Sequence, residues 1–122
     1  MVFLLGLAGG ALAAGPTVDA VLAVEYDSGV FSAAVLAHGP DPLVGVLLKV
    51  NGVDVIPDRT NHIILNAAKN LTLFTLTKFG PDPVVRAGDT VTADVTDLQG
   101  DMAEKSVTCT TGRHVRQLVV CR

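Results

Sequence analysis

Tryptophan is missing from this chain, and aromatic side chains are scarce: Phe3, Tyr26, Phe31, Phe74 and Phe79. At 122 residues, 49% of them apolar, the chain is long enough for one domain with a real core. That core must be built of Val, Leu, Ile and Ala. Charge is also sparse, at 17% of residues, where a lone soluble domain usually carries about 25%. Surface buried between copies would account for the deficit. The net charge of −3 argues against nucleic acid as a partner.

Catalytic signatures are lacking as well. Ser28, Ser32, Ser106, Cys109 and Cys121 could act as nucleophiles with His38, His62 or His114, but no G-x-S-x-G or comparable motif surrounds any of them. The three histidines have no metal-ligand spacing. Asp97, Asp101 and Glu104 lie around one turn and offer calcium-type oxygens, yet EF-hand spacing is absent and a solvated loop is the simpler reading. Gly6, Gly9 and Gly10 follow no strand and form no dinucleotide motif. The expectation is a protein that is not an enzyme and has no metal or cofactor.

What is present divides into two parts. Residues 1–15 (MVFLLGLAGGALAAG) carry no charge. Val2 to Leu12 fits the apolar region of a secretory leader, and Ala11-Leu12-Ala13 fits a cleavage site before Ala14. The basic n-region is missing, and the run is shorter than the roughly 20 residues that span a bilayer. Two readings follow: a removed leader, or a retained arm whose Val2, Phe3, Leu4, Leu5, Leu7 and Leu12 are buried against another surface. We adopt the retained arm.

Residues 16–122 read as short strands between turns. Thr17 to Tyr26 and Gly29 to His38 are the first two. Asn51-Gly52 between Leu43–Val50 and Val53–Ile56 is the strongest local signal, because a type I′ hairpin needs positive φ at both turn positions. A two-residue loop sets Val50 against Val53, Lys49 against Asp54 and Leu48 against Val55. His62 to Leu65 reads as a short strand, Asn66 to Asn70 as a turn, and Leu71 to Phe79 as a strand. The alternation of that last strand slips between Leu73 and Phe74, which suggests a bulge or burial on both faces. Thr90 to Asp97 alternates, with Val91, Ala93 and Val95 inward and Thr90, Thr92, Asp94 and Thr96 outward. Met102 to Thr110 and His114 to Cys121 follow.

Gly39-Pro40-Asp41-Pro42 recurs as Gly80-Pro81-Asp82-Pro83, 41 residues later. We read the pair as two equivalent turns between sheets rather than as a duplication. Regularly spaced strands without a long helix predict an antiparallel sandwich or barrel.

The segment GDTVTADVTDLQGDMAEKSVTC, Gly88 to Cys109, resembles the final hairpin of bacterial and archaeal immunoglobulin-like or fibronectin-type-III-like surface domains. The resemblance covers about a fifth of the chain. It implies an all-β, immunoglobulin-like β-sandwich of seven to nine strands over 16–122. Antibody-type features are absent: there is no core Trp, and no Tyr two residues before Cys109.

Two cysteines in an apparently exported chain suit a Cys109–Cys121 disulfide. A hairpin turning at Thr111-Gly112 would set Cys109 opposite His114, too far from Cys121 for a bond. The last strand must then fold back, or each cysteine bonds elsewhere; we expect an intrachain bond closing a short loop, with Arg113 and Arg116 presented on it. Asn70-Leu71-Thr72 matches the glycosylation sequon. Lys105 to Arg122 carries +4, so the remainder carries −7, an arrangement that suits either a solvated tail or head-to-tail contact between copies.

The functional expectation is a structural subunit of an extracellular filament or surface assembly. Its partners are other copies of itself, with a membrane only as a transient anchor during export. The alternatives are a secreted adhesion or binding module with a cleaved leader, and a phage virion decoration protein.

Overall fold

The structure, a computed structural model, describes residues 15–112 and 117–122. Among these residues nine strands follow in chain order: β1 (Thr17–Tyr26), β2 (Val30–His38), β3 (Leu43–Val50), β4 (Val53–Val55), β5 (Arg59–Asn66), β6 (Leu71–Phe79), β7 (Thr90–Asp97), β8 (Met102–Thr111) and β9 (Gln117–Cys121). They form one antiparallel sheet in the order β4-β3-β7-β8-β9-β1-β2-β6-β5. Strand β8 pairs with β7 along Met102–Thr108 and with β9 along Cys109–Thr111. The sheet turns over there. Phe31, Val35 and Leu76 from one half join Leu48, Val91 and Val95 from the other in a single buried cluster. Small and branched side chains fill it, as the scarcity of aromatics requires.

The order has an internal symmetry. It reads β1-β2-β6-β5 around the β2–β6 pair and β4-β3-β7-β8 around the β3–β7 pair, with β9 left over between β8 and β1. Both Gly-Pro-Asp-Pro segments follow a strand of the first group and lead to a strand of the second, from β2 to β3 and from β6 to β7. Prolines suit these crossings because they fix φ and withhold a ladder donor. Each segment's glycine N–H bonds the turn of the neighbouring hairpin: Gly39 to Lys69 O and Gly80 to Gly29 O, both at 3.1 Å. Gly29 has φ 85°, and a Cβ there would lie 2.8 Å from Gly80 O, so only glycine fits.

The second crossing is longer, running from Gly80 to Asp89. Glu25, 2% exposed on β1, holds it down. Its Oε1 accepts the N–H groups of Val84 at 2.5 Å and Val85 at 3.3 Å.

The Asn51-Gly52 turn has φ 50° and 83°, and pairs Leu48, Lys49 and Val50 with Val55, Asp54 and Val53. Asn51 also ties this hairpin to β7. Its Nδ2 donates to Asp89 Oδ1 at 3.0 Å, and its Oδ1 accepts the Thr90 N–H at 3.0 Å. The hydrogen bond from Asn51, then that from the Arg86 N–H, hold the Asp89 carboxyl below its usual range; desolvation opposes them, and the Arg86 charge adds a lesser pull downward. A lowered folded-state pKa adds stability above the unfolded value of about 3.9 and loses it as pH falls further. Asp89→Asn should therefore be less stable than wild type at neutral pH. The gap should close below about pH 4. Urea midpoints measured down the acid limb test this, and a gap that stays constant would refute it.

Four expectations are corrected. The β5 strand begins at Arg59 rather than His62, because its ladder with β6 extends to the Arg59–Thr77 pair. The slip at Leu73 is no bulge in β6: Thr72, Phe74 and Leu76 alternate inward, and the register shift lies across the ladder in β5, between Ile64 and Asn66. Asp94 lies on the outer face, as the alternation predicts, but it is covered there rather than solvated, 6% exposed, with Lys49 Nζ 3.4 Å away. Lys49 thus stands opposite Asp54 in the ladder but makes its ion pair with Asp94.

The fourth concerns the cysteines. Cys109 and Cys121 are bonded, and they are direct cross-strand partners with Cα atoms 3.9 Å apart. The hairpin is not closed at Thr111-Gly112. Val119 pairs with Thr111 and the Gly112 N–H bonds Leu118 O at 3.1 Å, a register that sets Cys121 opposite Cys109.

Candidate functional site

The most unusual surface is the edge formed by β5. Cross-strand partners share a face, and the inward residues of β6 are Thr72, Phe74 and Leu76. Their β5 partners Ile64, His62 and Thr60 therefore belong to the inner face. Nonetheless every residue of β5 is exposed. The strand stands at the end of the sheet order, and none of its residues belongs to the buried core cluster. Ile63 (60%), Ile64 (60%) and Leu65 (54%) are three consecutive exposed apolar residues. His62 packs its ring 6.3 Å from that of Phe74, and the Arg59 guanidinium lies 5.7 Å over Phe79. Among the described residues no strand pairs with the outer edge of β5.

Folded proteins blunt such edges with short strands, prolines and charge. The opposite edge follows this rule, since β4 has three residues and Pro57 follows it. The β5 strand does not: it has eight residues, no proline and one formal charge, Arg59. Its outer face continues an apolar row, because Ile63 pairs with Leu73 and Leu73 with Leu36.

A second feature is a groove of about 510 Å³ on the outer face of β1, β9 and β8, lined by Leu22, Val24, Thr110, Gly112, Gln117 and Val120. Its lining mixes the apolar Leu22, Val24 and Val120 with the polar Thr110, Thr111, Gln117 and Arg122.

The residues singled out for chemistry are dispersed. His38 Nδ1 lies 2.8 Å from Asp19 Oδ2, not beside a serine. Ser106 Oγ shares a 2.7 Å hydrogen bond with Thr92 Oγ1. Ser32 pairs with Thr77 inside the sheet, and Ser28 lies in the β1–β2 turn. His62 is on the exposed edge. Cys109 and Cys121 are consumed in the buried disulfide. His114, Arg113 and Arg116 lie outside the described residues, as do Val2, Phe3, Leu4, Leu5, Leu7 and Leu12.

The acidic turn serves structure. Asp97 Oδ1 accepts the N–H groups of Gln99 and Asp101, both at 2.9 Å, while Glu104 stands exposed in the β8 ladder opposite Asp94. Among the described residues no three acidic, histidine or cysteine side chains come together as a metal site. The sequon is likewise engaged: Asn70 (φ 54°) donates Nδ2 to Gly39 O at 3.0 Å, and the buried Thr72 hydroxyl donates to Asn70 O at 3.0 Å. The Asn70 amide thus binds the β5–β6 turn to the first Gly-Pro-Asp-Pro crossing, and the Thr72 hydroxyl braces the turn itself.

Sequence reasoning missed the Arg59–Asn61 part of the edge. The polar run Arg59-Thr60-Asn61-His62 has no core-facing apolar member, so it gives no strand periodicity. The available signal was the partner strand, since nine residues of β6 need something beside them. No family model matches the chain, and no curated protein matches it.

Proposed function

We propose that this protein is a structural subunit of an extracellular filament or surface assembly, and that it polymerises through its apolar N-terminal arm. The observation that carries this reading is the β5 edge, eight residues long with Ile63, Ile64 and Leu65 in water. Such an edge is a template for strand addition from another chain. The sequence supplies a matching segment in residues 1–14, uncharged and rich in large apolar side chains. The Cys109–Cys121 bond is consistent with an oxidising, extracellular compartment. We read the folded-over sheet as an immunoglobulin-like sandwich, the platform on which such subunits carry an arm.

Burying Val2, Phe3, Leu4, Leu5, Leu7 and Leu12 at roughly 1.5–3 kcal/mol each contributes on the order of 10 kcal/mol before ordering costs. That is enough to drive association. Contacts that repeat head to tail without closing generate filaments. Deleting Met1–Ala14 should leave a folded monomer, because the described residues by themselves supply a continuous buried cluster from both halves of the sheet. Negative-stain imaging and light scattering should show polymers from the full chain and none from the deletion. Normal polymerisation by the deletion would overturn the proposal.

The outer-face groove favours a second reading, a secreted binding module. Its volume falls within the range of small-ligand sites. A mature protein that begins near Ala14 by mass spectrometry would favour this alternative.

A further inference from the structure

Strand β9 covers the outer edge of β1 along Ala23–Tyr26, running antiparallel to it and presenting the buried Val119 and Cys121. The internal symmetry of the sheet assigns β5 the place that β1 holds. The equivalent stretch of β5 is His62–Asn66. Ala23 pairs with Ala33, Ala33 corresponds to Phe74 41 residues later, and Phe74 pairs with His62. This stretch contains Ile63, Ile64 and Leu65, the exposed apolar residues. The apolar exposure therefore coincides with the one strand position that the symmetry fills on β1 and leaves open on β5 among the described residues.

We propose that the outer edge of β5 along His62–Asn66 receives residues 1–14 of a second copy of this chain as an added antiparallel strand. This rests on the reading of the arm as the connector, and it names the acceptor.

The occupant follows from where the arm joins the fold. Thr17 pairs with His38, Ala37 with Thr72, and Leu71 with Asn66, so the arm enters β1 at the end of the sheet where β5 finishes. A chain's own arm lying beside β5 and then crossing to β1 would run parallel to β5. To lie antiparallel it would finish at the far end and have to return. That return covers about 16 Å back along the five residues of His62–Asn66 and then about 19 Å past the ends of four strand spacings, about 35 Å in all. It would use roughly 10 of the 14 residues at about 3.5 Å each, leaving too few to pair. A second copy has no such constraint.

Hydrogen exchange read by mass spectrometry tests this on the full chain, assembled and dispersed by dilution. Amides of 59–66 should exchange at least 10-fold more slowly in the assembly, while those of β2 stay unchanged. Ile63→Lys in the full chain should raise the concentration needed for assembly at least 10-fold, with an unchanged urea midpoint for the dispersed chain. Arm-dependent assembly without slower exchange at 59–66 would overturn the acceptor and leave the filament reading standing. Slow exchange at 59–66 already in the dispersed chain would overturn the second copy in favour of the chain's own arm. Assembly that persists without residues 1–14 would overturn both proposals.

Discussion

Replacing Cys109 and Cys121 together by alanine is expected to cost about 3 kcal/mol of folding stability. The bond closes a loop of sequence separation 12, and chain-entropy arguments give about 3 kcal/mol for a loop of that size. Its location adds a second contribution. Both side chains lie in the core, at 1% and 0% exposure, so the substitution also removes buried contacts. The bond spans the point where β8 leaves β7 and begins to pair with β9. It therefore fastens the turn-over of the sheet at β9, a strand of only five residues. The urea midpoint should fall by roughly 1–3 M at ordinary m values. Exchange should quicken first along 117–121. An unchanged midpoint would show that the packing of β9 between β1 and β8 suffices by itself.

The register of that hairpin was not readable from the chain, and the reason is physical. A turn at Thr111-Gly112 is the local choice, since glycine there follows a β run. The structure instead pairs Thr111 with Val119, because β9 must satisfy two neighbours. Val119 and Cys121 have to face the core while the strand pairs with Glu25 and Ala23 of β1. A one-residue slip would turn both outward. Such a requirement is set by a strand nearly a hundred residues earlier. No local pattern carries it.

The Asn51-Gly52 hairpin is the opposite case. Its register is contained in four residues, because turn geometry alone sets the pairing. The inward positions Val91, Ala93 and Val95 were also readable, from alternation against a solvent face. Asp94 was not, since its burial comes from Lys49 on the neighbouring strand rather than from its own sequence neighbourhood. The candidate edge was half visible. Ile63, Ile64 and Leu65 announced a strand, but their exposure depends on where β5 falls in the sheet order, at its end and outside the core cluster.

The two Gly-Pro-Asp-Pro crossings differ in what holds them, which leads to the other large effect. The first crosses in four residues and is secured by the Asn70 side chain and the Gly39 N–H. The second takes ten, and its centre would be free to lift from the core without Glu25. That side chain is buried among Phe31 and Val119 neighbours in the ladder and gives one oxygen to two adjacent backbone N–H groups. Val85, beyond those bonds, is 1% exposed and belongs to the core cluster. Glu25→Ala would leave both N–H groups unpaired in a buried setting, at roughly 1–3 kcal/mol each. It would also open space at the end of the core. The expected loss is about 2–4 kcal/mol. Glu25→Gln retains a side-chain oxygen of the same reach and should lose only about 1 kcal/mol. The site of damage separates this from general destabilisation: amide exchange at Val84 and Val85 should quicken in Glu25→Ala under conditions where the β3–β4 hairpin is unchanged. Equal losses for Ala and Gln, with no local change at Val84 and Val85, would show that the packing of the side chain, rather than its hydrogen bonds, holds the second crossing to the sheet.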